Sequence, residues 1–249
     1  MFRFVLIIFI TQRNIIMNIV ITGGSKGMGK ALAMKFAVPG NSILINARNE
    51  QELKDTADEI NNNSKATAQY FAADISQKSS AEDFANWLIT QNAIPDILIN
   101  NAGQFIPGSI YNEKEGTLEK MMEVNLYSAY YLTRALLPAM MKKKTGHIFN
   151  MCSIASLKAY NNGGSYSISK HALMGFSRNL REELKPYNIK VTAVYPGAVY
   201  TASWEDAGID PLRIMEVNDI AEMMYAASIL SPQACVEDVI IRPQLGDLP

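Results

Sequence analysis

Asn18-Ile19-Val20-Ile21-Thr22-Gly23-Gly24-Ser25-Lys26-Gly27-Met28-Gly29 runs from a short apolar segment through a glycine-rich turn into a helical pattern that reaches about Ala37. The apolar segment reads as a buried strand. Gly23, Gly27 and Gly29 let the turn tighten, let backbone approach a pyrophosphate, and let the helix pack against the strand. With Ser25, Lys26 and Met28 they form the expected cradle, whose helix-start amides face an anion. Gly24 is an extra glycine that adds flexibility and little information. A glycine turn set between strand and helix predicts dinucleotide binding, whereas a bare glycine turn would not.

Outward from this unit, strands and helices alternate. Strand-like runs fall at Ser42–Ala47, Thr67–Ala72, Asp96–Asn100, His147–Cys152, Lys190–Tyr195 and Val239–Ile241. Helical patterns fall near Glu50–Asn61, Lys78–Thr90, Leu118–Lys143, Tyr166–Lys185 and Asp219–Leu230. The alternation predicts an α/β fold: a doubly wound, Rossmann-type parallel sheet of about seven strands with right-handed crossovers and helices on both faces. Residues 17–249 read as a single domain. Phe2–Ile10 is apolar apart from Arg3, too short for the roughly 20 residues of a membrane span, and no small-residue cleavage site follows it. Translation is therefore expected to begin at Met17, with 1–16 a non-native or disordered leader.

The 249 residues carry a net charge of −1, with 48% hydrophobic and 19% charged residues, as a soluble globular chain does. Lys142-Lys143-Lys144 is a run of helix-end cations, so no nucleic-acid partner is expected. Cys152 and Cys235, with His147 and His171, lack metal-ligand or disulfide spacing. No metal site and no membrane partner are expected, and a reducing cytoplasm fits.

At the end of the second strand, Asn46-Ala47-Arg48 offers no acid before Glu50 for a ribose 2′-hydroxyl. Arg48 can hold a 2′-phosphate and Lys26 can reach the same group. Two cations without a competing carboxylate favour NADP(H), with NAD(H) as the alternative. Tyr166 and Lys170 stand one helical turn apart on one face. An ammonium near a phenol lowers the phenol's pKa from about 10 and readies it for proton transfer. Alone, the pair also fits a solvated helix face.

Together these segments resemble the short-chain dehydrogenase/reductase family, in its short single-domain branch, from Met17 to the C-terminus. Thr22 to Gly29 matches the family's glycine turn, and Asn100-Asn101-Ala102-Gly103 its NNAG. Asp74, followed by Ile75, matches the acid that contacts adenine, and Asn125 the asparagine of the long helix. Ser153 precedes Tyr166 by 13 residues. Pro196-Gly197 ends the sixth strand, with Val199 and Thr201 after it near the nicotinamide or phosphates. The resemblance implies that Asn101, Ala102 and Gly103 line the cofactor site and that Tyr166 is the general acid or base. It implies that Lys170 depresses the Tyr166 pKa and bonds the nicotinamide ribose, that Ser153 binds the carbonyl oxygen, and that Asn125 holds a relay water. Tyr160 and Trp204 are expected at the substrate pocket, with Tyr200 beside Trp204 under a short lid. Pairing through the Leu118–Lys143 and Tyr166 helices implies a homodimer or homotetramer.

The implied function is NADP(H)-dependent reduction of a ketone or aldehyde, or oxidation of the alcohol. One alternative is 3-oxoacyl-[acyl-carrier-protein] reduction, disfavoured by the uncharged Gln104-Phe105-Ile106-Pro107 loop. Another is a non-catalytic nucleotide sensor or scaffold, which would need none of Asn125, Ser153, Tyr166 and Lys170.

Overall fold

A computed structural model describes residues 16–201 and 208–248. The expected leader, apart from Ile16, and Trp204 lie outside the described residues. Among the described residues no helix is long and apolar enough to cross a membrane.

Seven strands form one sheet: β1 (Asn18–Thr22), β2 (Ser42–Ala47), β3 (Thr67–Ala72), β4 (Ile97–Asn100), β5 (Gly146–Met151), β6 (Ile189–Pro196) and β7 (Asp238–Ile241). Their order is β3-β2-β1-β4-β5-β6-β7 and every pairing is parallel. The helices are α1 (Gly27–Phe36), α2 (Glu50–Asn63), α3 (Lys78–Thr90), α4 (Thr117–Met122), α5 (Ser128–Lys143), α6 (Gly164–Leu184) and α7 (Val217–Ser228). The architecture is the expected Rossmann-type fold.

Alternation along each strand decides the packing. Ile19 and Ile21 of β1 join Leu32, Phe36, Ile43 and Met224 in one buried cluster. Val20, between them, points to the other face and joins Leu44, Phe84, Leu132, Ile148 and Leu180. Burying one such side chain contributes roughly 1.5–3 kcal/mol, so both helical layers are held by the strands' two faces.

The winding reverses between β1 and β4, which leave the sheet as hydrogen-bonded neighbours while their crossovers run in opposite directions. A crevice opens beyond the carboxyl ends of strands at such a switch point. Thr22 and Asn100, the last residues of β1 and β4, stand at it.

The helix expected over Leu118–Lys143 departs from its reading. Between α4 and α5, Glu123–Tyr127 forms a π-turn, with Asn125 fully buried at its centre. Such single turns concentrate at functional sites because they re-aim one residue without ending the helix. No glycine or proline marks this one.

Candidate active site

The glycine turn fits a dinucleotide's phosphates by shape. A Cβ on Gly29 would lie 1.9 Å from the Gly23 carbonyl oxygen, so the turn closes only without a side chain there. Gly23 and Gly27 have φ of +66° and +53°, the left-handed region that favours glycine. No side chain caps the start of α1, whose amides remain directed at the crevice. Gly24 carries more information than its reading assigned: a Cβ there would come within 2.8 Å of Ile45, and its amide bonds the Asn46 carbonyl at 3.0 Å. It lets the turn lie flat against β2.

Thr22 ties this turn to β4. Its hydroxyl oxygen accepts the Asn101 and Ala102 amides at 3.0 and 2.9 Å, and Asn101 Nδ2 donates to the Thr22 carbonyl at 2.9 Å. Asn101 Oδ1 is buried with no hydrogen-bond partner among the described residues. Thr201 lies over the same turn, its Cγ2 3.5 Å from where a Gly27 Cβ would stand. Val199 is buried, and Gly197 packs so closely on Pro243 that a Cβ would meet it at 2.9 Å. Pro196 ends β6 and is buried. Asp74 is exposed and accepts the Ser76 amide and hydroxyl, while Ile75 beneath it is buried.

Arg48 stands exposed just past β2. Lys26 does not stand free of acids, which corrects the reading that no carboxylate competes with it. Glu52 Oε1 lies 3.2 Å from Lys26 Nζ, and Glu52 Oε2 accepts the Ser25 hydroxyl at 3.0 Å. Asn49 caps α2 by accepting the Glu52 amide, which puts Glu52 on the first turn. A Glu at this position ordinarily turns back to the cap amide; this one reaches the glycine turn. The Asn49-x-x-Glu52 spacing marks the helix start in sequence and gives no sign of this reach.

Beyond β5, Ser153 caps a single 3₁₀ turn, its Oγ accepting the Ala155 amide at 3.1 Å. The Ser153 side chain stands near enough to Tyr166 to favour its phenolate. Lys170, fully enclosed, donates from Nζ to the Met151 carbonyl at 2.7 Å, with Nζ 5.8 Å from the centre of the Tyr166 ring. Gly103 sits against both Lys170 and Asn125: a Cβ there would be 3.3 Å from Lys170 Nζ and from Asn125 Oδ1. Asn125 Nδ2 donates to the Gln104 carbonyl at 3.0 Å and to Ser169 Oγ at 2.9 Å, and Oδ1 accepts the Gln104 amide at 2.7 Å.

The electrostatics correct the expected lowering of the Tyr166 pKa. Burial pushes the phenol above its ordinary value, against a smaller pull from the Ser153 side chain. Desolvation also drives Lys170 down to about 8, because its ammonium has left water. Burial lifts the Cys152 thiol to about 11, which leaves no thiolate. His147 is held near 3 by burial and bonds Thr192, so it is a neutral core residue. His171 bonds the Ser167 carbonyl. Tyr160 is half-exposed and burial moves its phenol to about 12.

Sequence reasoning missed Phe105, whose ring meets Tyr166 edge-on at 4.9 Å. It also missed Glu113, which accepts the Ser165 amide and hydroxyl and so pins the loop before α4 to the start of α6. Neither lies at a spacing that distinguishes it from an ordinary loop residue.

A model described as short chain dehydrogenase matches residues 17–211. An uncharacterized oxidoreductase of Staphylococcus epidermidis is 30% identical, over 90% of this chain and 96% of its own. An alcohol dehydrogenase from the archaeon Thermococcus sibiricus, complexed with 5-hydroxy-NADP, superposes with a TM-score of 0.85 at 25% identity, over 93% of this chain and 98% of its own. A metagenomic short-chain oxidoreductase in complex with NADP gives 0.79 at 29% identity, over 91% and 97%. With the glycine turn at the switch point and this match over most of its length, the chain belongs to the short-chain dehydrogenase family and is an oxidoreductase.

Proposed function

We propose that this chain is an NADP(H)-dependent reductase of a ketone or aldehyde, using Ser153, Tyr166, Lys170 and Asn125. The observation that carries the reading is the convergence of the Tyr166 phenol, its neighbour Ser153 and the buried Lys170 at the end of the sheet that also bears the glycine turn. The dinucleotide, when bound, supplies the hydride to the carbonyl carbon. Gly23 to Gly29, with Asp74, Ile75, Asn101, Ala102, Gly103, Pro196, Gly197, Val199 and Thr201, would hold it, and Lys26 and Arg48 would meet a 2′-phosphate. NADP in two of the similar structures supports that preference.

Ser153 donates to the carbonyl oxygen and stabilises charge as it develops there. Tyr166 delivers its proton to the same oxygen. Its raised pKa keeps that proton in place at neutral pH, which suits the acid of a reduction better than the base of an oxidation. Lys170, fixed by the Met151 carbonyl, sets a positive charge beside the phenol as it becomes phenolate. Asn125 holds the Gly103–Gln104 backbone against this group, and Phe105 limits water at the Tyr166 ring.

The reading includes a second copy of the chain. Tyr127 and Tyr130 on the α5 side are partly exposed, while Met121 and Leu173 are consumed in the chain's own core. Light scattering gives the assembly. The deciding experiment is fluorescence titration with NADPH and NADH on protein started at Met17, beside Arg48→Ala. Tighter NADPH binding that weakens in the variant supports the cofactor assignment; equal or tighter NADH binding overturns it. Loss of carbonyl turnover in Tyr166→Phe with NADPH binding retained supports the roles.

A further inference from the structure

We propose that Glu52 is a cofactor-specificity residue, which competes with a ribose 2′-phosphate for Lys26 and so restrains the preference for NADP(H) over NAD(H). The inference rests on the cofactor reading above. Glu52 is gripped from two sides of the turn: Oε2 accepts the Ser25 hydroxyl at 3.0 Å and Oε1 faces Lys26 Nζ at 3.2 Å. Thr56, one helical turn further along α2, donates to the Ser25 carbonyl at 3.0 Å. The carboxylate therefore belongs to a docked contact between α2 and the phosphate turn. Its side chain is 35% exposed, whereas that of Lys26 is 72% exposed.

The nearest other cation on α1, Lys30, is engaged by Glu59 at 2.7 Å. Lys26 is thus shared, and no neighbour on α1 replaces it. A 2′-phosphate drawn to Lys26 enters the field of the Glu52 carboxylate, and like charges repel. A ribose with a free 2′-hydroxyl brings no such charge and offers a donor that a carboxylate can accept. Removing the Glu52 charge relieves the first ligand and leaves the second unaided. The acid stands on the first turn of α2, past the end of β2 where an acid for NAD would ordinarily be sought.

The test is fluorescence titration of NADPH and NADH on the full chain and on Glu52→Gln, which keeps size and hydrogen-bonding capacity. The affinity ratio is expected to move about 3–10-fold toward NADPH, the scale of one partly exposed charge. In a Lys26→Met background the shift is expected to shrink to less than half, since the shared cation is gone. An unchanged ratio, a shift toward NADH, or equal weakening of both cofactors would overturn the proposal and leave Glu52 as a structural clamp. A wild-type chain that binds neither dinucleotide would overturn the cofactor reading itself, and this inference with it.

Discussion

The Asn125 side chain pairs with both backbone polar groups of Gln104, accepting its amide at 2.7 Å and donating to its carbonyl at 3.0 Å. A side-chain amide thereby acts as a strand partner for the loop leaving β4. The π-turn makes this reach available by turning Asn125 inward within an otherwise helical run. Asn125→Ala would leave two part-buried backbone groups without this partner, at a cost of about 1–3 kcal/mol. We expect Asn125→Ala to melt lower and to lose about 10²-fold in kcat as Gly103 drifts from Lys170. Asn125→Asp keeps the acceptor and loses the donor, so it should fall lower than wild type as well. Wild-type melting and kcat in Asn125→Ala would remove the residue from the site.

Gly29→Ala tests the phosphate cradle. The added Cβ would stand 1.9 Å from the Gly23 carbonyl oxygen, a backbone atom that cannot swing aside. Either α1 moves away from β1 or the turn opens, and both spoil the anion site. We expect NADPH affinity to fall by at least about 10²-fold, because a misplaced backbone loses several oriented amide contacts together. Gly175→Ala is the control, since nothing lies within 4 Å of the added atom. Equal NADPH titrations for the two variants would show that the turn does not bind phosphate.

The difference between what the sequence disclosed and what it concealed follows from range. Ile19, Val20 and Ile21 alternate between two buried clusters, and that local pattern states both the strand and its two-sided burial. Gly29 is legible because one residue's missing Cβ governs one local approach. Ser153, Tyr166 and Lys170 are marked by the family resemblance, since the Tyr166–Lys170 spacing alone also fits a solvated helix face. The Glu52 contact with Lys26 bridges two helices across a strand, and the capping pattern at Asn49 points only to the helix start. The π-turn has no residue signature, because its hydrogen-bond shift is imposed by what Asn125 must reach. The direction of the Tyr166 pKa was hidden for the same reason: spacing shows the lysine but not the burial that raises the phenol.

Directions of catalysis should respond oppositely to pH. Burial raises the Tyr166 pKa, so the proton needed for reduction is present throughout the neutral range. Lys170, lowered to about 8, carries its charge below that pH and loses it above. Reduction, measured as kcat/KM, is therefore expected to be flat from pH 6 to about 7.5 and to fall above about 8. Alcohol oxidation needs the phenolate and should rise with pH over the same interval. A reduction profile that falls with an apparent pKa below 7 would assign the proton to another group.

His147 should govern part of the acid limb of stability. Its Nε2 bonds Thr192 Oγ1 at 2.7 Å, while the Thr192 hydroxyl donates to the Val236 carbonyl. That assigns the ring proton to Nε2 and leaves Nδ1 bare and buried, without a partner among the described residues. The folded pKa lies near 3 against an ordinary 6.5, through burial first and the Lys190 charge second. As pH falls below about 6.5 the unfolded chain takes up a proton that the folded chain refuses. The stability gained from a neutral ring is therefore complete above about 6.5 and drains away towards pH 3, by roughly 3–5 kcal/mol in all. His147→Phe cannot titrate, and a phenyl ring can lie on Phe149, which the imidazole already stacks at 3.9 Å. Urea midpoints should place the variant below wild type by about 1 kcal/mol at pH 7.5, for the lost Thr192 bond. The order should reverse by pH 4.5, where the unfolded wild type is protonated. Parallel curves across that range would mean that the ring is protonated in the folded state or exposed to water.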